Sequence, residues 1–290
     1  DSGGSLTAGY GQYSAGDGGQ YQVLGDGGLK LGGEGKLHLS AQLGHQDQSD
    51  RARPYIGTPS ATSPPLGEVV QRLGDPEIDN WSVAYNGEIP VDEALSFYSF
   101  GLYTSRETLS NGFFRPAGDA RNIPSIYPDG FLPQIFNTSD DISLTAGLRA
   151  TTFADTDVDF SYTYGSSELA FDIRNTLNRS LGPTSPTQFY AGSLELKQHV
   201  LNLDFNKALD WGLAYPLTLS DGAEWRGEEF TIGPGEPHSW SHRAVLPPTA
   251  APAAPGAWPS AAAARRSPSG VSGTRLRSRP MPVRMRASVV

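Results

Sequence analysis

The sequence predicts an all-β fold: an antiparallel transmembrane β-barrel fragment of about nine strands, with long extracellular loops and a disordered C-terminal tail. Three observations predict it. Apolar and polar residues alternate with period two, most clearly where Leu37, Leu39, Ala41 and Leu43 interleave with His38, Ser40, Gln42 and Gly44. Side chains on a strand point alternately to opposite sides, so such a run has one greasy and one wet face. The gaps between runs switch between very short and very long, as tight turns and large outer loops do in membrane barrels. No stretch shows the 3.6-residue period of an amphipathic helix.

The elements follow in order. A first strand over about Gly4–Tyr13 places Leu6, Ala8 and Tyr10 together, and Gly16–Gly19 turns into a second over Gln20–Leu31. Gly32-Gly33-Glu34-Gly35 is the next tight turn, and Lys36–Gln46 is the third strand. A gap rich in Pro, Ser and Arg runs from Asp47 to Asp75. The fourth strand carries Trp81, Val83 and Tyr85 and reverses near Ile89–Asp92; the fifth covers about Ala94–Ser105. Arg106–Thr138 reads as the second long loop. The sixth strand holds Ile142, Leu144, Ala146 and Leu148, turns at Phe153–Thr156, and feeds a seventh with Val158, Phe160, Tyr162 and Tyr164. After a loop from Arg174 to Gly192, the eighth strand covers Leu194–Phe205 and turns at Lys207–Asp210, and the ninth runs from Leu213 towards Phe230. Loops this long are uncommon inside a compact soluble domain. Tyr10, Tyr13, Tyr21, Trp81, Tyr85, Tyr103, Tyr162, Tyr164 and Trp211 lie near strand ends and suit interfacial girdles, although aromatics also favour strands in general.

Charge divides the chain. From Arg243 onward there are eight Arg and no Lys, Asp or Glu, which leaves 14 basic against all 31 acidic residues in the body, a balance of −17. A boundary near His242 therefore separates 1–242, the partial barrel, from 243–290. The tail's Ala-Pro-Arg-Ser wording fits translation of a G+C-rich gene in the wrong frame better than a nucleic-acid or anionic-lipid arm, and no nucleic-acid partner is expected. Its low apolar content predicts disorder. Ala244–Ala264 has the length of a membrane helix but contains five prolines, which excludes one. Zero Cys removes disulfides and thiolate metal sites.

Catalytic motifs are weak. Gly25-Asp26-Gly27-Gly28 is followed by no helix to complete a phosphate cradle and reads as hairpin chemistry. Asp155-Thr156-Asp157-Val158-Asp159 has Phe160 where a calcium loop needs Gly, and reads as a solvated turn and polar strand face. His238 and His242 have the i, i+4 spacing of a helical metal pair, but Pro237 and nearby Gly argue for a loop. No Gly-x-Ser-x-Gly is present. Neither an enzyme activity, a metal nor a cofactor is expected.

Two loop segments carry more specific wording. Arg121-Asn122-Ile123-Pro124-Ser125-Ile126-Tyr127-Pro128-Asp129-Gly130-Phe131-Leu132-Pro133-Gln134-Ile135 resembles an outer loop of TonB-dependent outer-membrane receptors. Phe171–Asn178 with Ser180–Thr187 resembles the family's next outer loop, and Tyr10–Gly18 resembles a hairpin just after its plug domain. The resemblance covers about residues 3–242. It implies a segment of a 22-stranded barrel in the outer membrane of a Gram-negative bacterium, touching outer-membrane lipid and taking up a scarce extracellular solute. Siderophore, cobalamin and carbohydrate all fit the class. In an intact receptor the TonB complex supplies the energy through an N-terminal box. The plug, the box, the leader and a terminal aromatic have no counterpart here, so a non-functional remnant is the chief alternative, ahead of a passive porin or a soluble β-rich binding module. For solute contact the residue types point to Arg115, Arg121, Tyr127, Asp129 and Phe131, then Arg174 and Asn178; loop–loop packing is the equal alternative. Open sheet edges in hydrocarbon strand backbone groups at several kcal/mol each, so nine strands must close, find partner strands or fail to insert.

Overall fold

The computed structural model describes residues 3–152, 154–210, 212, 216–242, 274–277 and 284–289. Nine antiparallel strands follow one another as a meander: β1 Gly3–Gly11, β2 Gln20–Leu31, β3 Gly35–Gln46, β4 Glu77–Pro90, β5 Leu95–Asn111, β6 Gln134–Thr151, β7 Thr156–Arg174, β8 Phe189–Leu209 and β9 Leu217–Pro234. Each pairs with the next in unbroken register except for one shift at Phe171/Asp172. Among the described residues the sheet does not close, since β1 pairs with β2 alone.

The connections alternate as expected. At one end lie 32–34, 91–94, 152–155 and 210–216; at the other lie 12–19, 47–76, 112–133 and 175–188. Strands extend further into the long-loop end than the alternation signals. β5 reaches Asn111 and β6 begins at Gln134, so the second long loop is 112–133 and not 106–138. β8 begins at Phe189, inside the expected loop from Arg174 to Gly192. The β5 extension, Arg106–Asn111, is largely polar on both faces, and the β6 and β8 extensions hold adjacent apolar residues, Ile135-Phe136 and Phe189-Tyr190, so none shows the period-two alternation.

Three local expectations are corrected. Gly25-Asp26-Gly27-Gly28 is no hairpin but the middle of β2, where Gly27 faces Gly4 and Gly28 faces Gly3 across the ladder. Pro237–Trp240 is one helical turn, α1, since proline suits a first helical position; His242 lies beyond it. The tail is not wholly without structure: β10 (Thr274–Arg277) and β11 (Arg284–Val289) both pair with β9. The otherwise unpaired edge of β9 offers a row of donors and acceptors, which an alternating sequence such as Arg284-Met285-Arg286-Ala287 can answer. The remaining tail residues lie outside those described, as does Trp211 of the expected girdle.

Register fixes the faces. Directly opposed residues share a face, so the ladder Leu6–Gly25–Ala41–Val83–Tyr103–Ile142–Ser166–Lys197–Glu229 runs along one side of the sheet. It begins apolar and ends charged. The apolar belt on that side therefore crosses the ladder obliquely. Its loopward limit is Tyr10 and Tyr21, then Leu43 and Trp81, then Tyr103 and Ile142, then Tyr164, and last Leu201 and Trp225. Relative to the ladder that limit falls from four residues loopward to four residues turnward over eight strand-to-strand steps. One residue of about 3.4 Å per strand spacing of about 4.8 Å inclines the belt by about 35° to the perpendicular between strands.

The chain does not cover this belt. Among the described residues only Tyr98, Phe131, Phe189 and Val200 are buried apolar side chains, while Leu43, Trp81, Leu144 and Phe160 remain 62%, 43%, 41% and 47% exposed. The opposite face is mostly polar, with Gln42, Asn80, Ser143, Thr145, Asp159, Thr163 and Asn202, though Phe100 and Leu102 also stand exposed on it. Tyr98 organises its middle. The ring lies over Gly147, its directly opposed neighbour, where any side chain would collide with it. Its hydroxyl donates to Asp159 Oδ1 at 2.7 Å, Arg149 Nε donates to Asp159 Oδ2 at 3.0 Å, and the guanidinium sits 4.1 Å from the ring centroid.

Candidate functional site

The long-loop end is a bonded chain of loops. Asp17 in the first loop accepts from the Asp50 amide at 3.0 Å and from the Arg51 guanidinium, and Tyr13 donates to Asp75 Oδ2 at 2.7 Å. These contacts tie 12–19 to 47–76. Gln71 bonds both ways to the third loop, donating to Gly112 O at 2.7 Å and accepting from Phe114 N at 2.8 Å. The third and fourth loops meet where Tyr127 donates to Thr176 O at 3.3 Å and Asn175 donates to Leu132 O at 2.7 Å. Asn178 then holds the segment after β9, donating to His238 O and Ser241 O at 2.9 and 3.0 Å. Every long loop is thus fastened to the next.

The third loop, 112–133, gathers five of the seven expected contact residues. Arg115 and Phe131 form an isolated antiparallel bridge that pinches the loop's base. Phe131 is buried and stacks on Tyr127 with ring centroids 4.6 Å apart. Arg121 grips Asp119 with both ends of its guanidinium, at 2.9 and 2.7 Å. That guanidinium holds the Asp119 carboxyl below its ordinary range. Arg115 has no ion-pair or hydrogen-bond partner for its guanidinium among the described residues; burial first, and the Arg121 charge next, lower its proton affinity. Asp129 lies exposed near the loop's base, before Gly130 at φ 91°. An unpaired guanidinium beside a paired one, with aromatic rings close by in sequence and space, is chemically suited to an anion.

The other two residues stand apart. Arg174 ends β7 and is no loop residue; its guanidinium lies 3.7 Å from the centroid of Phe136. Asn178 caps the short 3-10 turn Arg179–Thr184 by accepting from Ser180 N at 3.1 Å, and its amide is spent on the segment after β9. It is a bracket between the fourth loop and the segment after β9.

Sequence reasoning missed the loop interiors. Asn122 is buried at 4% exposure and fully bonded, donating to Ala117 O and Tyr127 O and accepting from Ile123 N. Ser185 accepts from Asn178 N at 2.7 Å and donates to Pro186 O at 2.8 Å. One amide in a polar loop looks like any other, so only the backbone course distinguishes them. Trp225, at the belt's rim on β9, was also missed, because Glu224 and Arg226 flank it. Among the described residues no cluster of His, Asp or Glu could hold a metal ion. No family model matches the chain, and no curated protein matches it.

Proposed function

We propose that this chain is a nine-strand portion of the wall of a TonB-dependent outer-membrane receptor. Its apolar face touches lipid, its polar face lines the solute path, and the bonded loops receive the solute outside. The observation that carries the reading is the uncovered, inclined apolar belt. Strands of membrane barrels tilt by about 35–45°, so a belt lying level in a bilayer must climb obliquely across their register. On β6 the belt runs from Ile142 to Ala150. Eight rises of about 3.4 Å, tilted by about 35°, give a height of about 22 Å, close to the apolar band of outer-membrane barrels. No helix among the described residues is long and apolar enough to cross a membrane, which says nothing of strands. The intact receptor would draw on the TonB complex; binding and passage of the solute need no bond chemistry.

β1 is exposed along all nine residues and, among the described residues, pairs with β2 alone. About nine unpaired residues in hydrocarbon would cost tens of kcal/mol, so the wall inserts only where β1 closes on its own sheet or meets partner strands, which a second copy of the chain can supply.

Depth-dependent quenching by brominated lipids tests the proposal with single-tryptophan variants that keep either Trp81 or Trp225. Their register positions differ by six residues, about 20 Å along untilted strands. A tilted wall in a bilayer brings both to one shallow depth. Unequal depths, or no quenching in vesicles, would refute it.

A further inference from the structure

The polar face of the sheet carries an open cavity apart from the loops. At the long-loop end of β2–β5, level with the aromatic rim, a cavity of about 480 Å³ is lined by Gln20, Gln22, Gln42, Asn80 and Arg106 around Gly44. Gln22, Gly44, Asn80 and Arg106 stand directly opposite one another on four successive strands. Gly44 makes the floor: a Cβ there would lie 2.7 Å from Asn80 Oδ1, so only glycine lets the amide lie across it. The side chains of Gln20, Gln22, Gln42, Asn80 and Arg106 make no hydrogen bond or ion pair among the described residues.

The electrostatics are equally distinct. The body carries a balance of −17, yet no carboxylate lines this cavity. The larger cavity of about 810 Å³ at the turn end is lined by Asp159, Asp204, Asp221 and Glu224 instead. Amides offer a donor and an acceptor side by side, which matches vicinal hydroxyls in either sense. A guanidinium offers a fork that matches a carboxylate.

We infer that this cavity binds an acidic saccharide: amides from β2, β3 and β4 take its hydroxyls and Arg106 takes its carboxylate. The inference rests on the reading of the polar face as a solute path and names the substrate class for it. Aromatic and charged groups of the third loop would then serve first capture, upstream of this wall.

Isothermal titration of trigalacturonate into the full chain, refolded in lipid vesicles, tests it. Maltotriose serves as the neutral comparison and sodium sulfate as the bare anion. Trigalacturonate should bind, maltotriose markedly less. Arg106→Gln should weaken trigalacturonate by about tenfold or more, the loss expected for one charged hydrogen-bonding group. Arg106→Lys should recover part of it, and Asn80→Leu should weaken both sugars. Undiminished binding by Arg106→Gln, or sulfate competing as well as the sugar, would overturn the assignment. Quenched tryptophans without sugar binding would sink this inference alone. Sugar binding with unquenched tryptophans would support the cavity and sink the receptor reading.

Discussion

Leu144 and Ser143 are adjacent on β6 and point to opposite faces, which makes them a matched pair for the central claim. Leu144 is 41% exposed on the apolar face, two residues loopward of Ala146 at the middle of the belt. Two rises of about 3.4 Å at a tilt of about 35° place it about 6 Å above the centre of a bilayer. An arginine on the lipid face costs about 2–4 kcal/mol at the midplane and much less near the interface. At that depth Leu144→Arg should cost about 2–3 kcal/mol, a thirty- to hundred-and-fifty-fold change in the folding equilibrium. Ser143→Arg, facing the open site over Gly165, should change it by less than about 0.5 kcal/mol. The assay is guanidinium-titrated folding into short-chain lipid vesicles, followed by tryptophan fluorescence and electrophoretic mobility without heating. If the apolar face were bathed in water, Leu144→Arg would be as harmless as Ser143→Arg, since exposed substitutions stay within about 0.5 kcal/mol. Equal effects would refute the lipid-facing belt.

Further outcomes follow from single contacts. Gly147→Val would drive a side chain into the Tyr98 ring and should cost about 1–3 kcal/mol in the same assay, while Gly165→Ala, with open space around it, should be nearly silent. Asn178→Ala removes the fourth loop's hold on His238 and Ser241, and trypsin should cut after Arg179 faster while the sheet's amide protection stays unchanged. The Asp119 carboxyl is held below its ordinary value by Arg121. Its stabilising contribution is therefore full above the ordinary carboxylate range and is lost as pH falls through the depressed value. Amide exchange in 119–127 should accelerate only on acidification below about pH 4, and Asp119→Asn should abolish that dependence. Truncation after His242 removes the strands that pair with β9, so the shortened chain should associate more readily, measured by light scattering during refolding.

Much of the sheet was legible because period-two alternation is a local property. The second strand is matched residue for residue by β2, and the tight turn at Gly32–Gly35 stands where glycine's freedom at positive φ demands it, with φ of 41° and 52° at Gly32 and Gly33. Strand ends were less legible. At Asn111, Gln134 and Phe189 the ladder continues on backbone hydrogen bonds after the period-two alternation has stopped. Five of the seven expected contact residues do share one loop, because they are neighbours in sequence. That Arg121 is taken by Asp119, that Arg115 is left over, and that Asn178 turns away depended on the loop's path.

By itself the sequence determined which residues alternate and where the chain must turn, since both follow from geometry within a few residues. It could not determine the tilt of the apolar belt. That slope exists only between strands, in which residue of one lies opposite which residue of the next. The cavity around Gly44 has the same origin. Gln22, Gly44, Asn80 and Arg106 span 84 positions of the chain and become neighbours only through three hydrogen-bonded registers. Pairing between distant strands, and not propensity along the chain, decides what faces what.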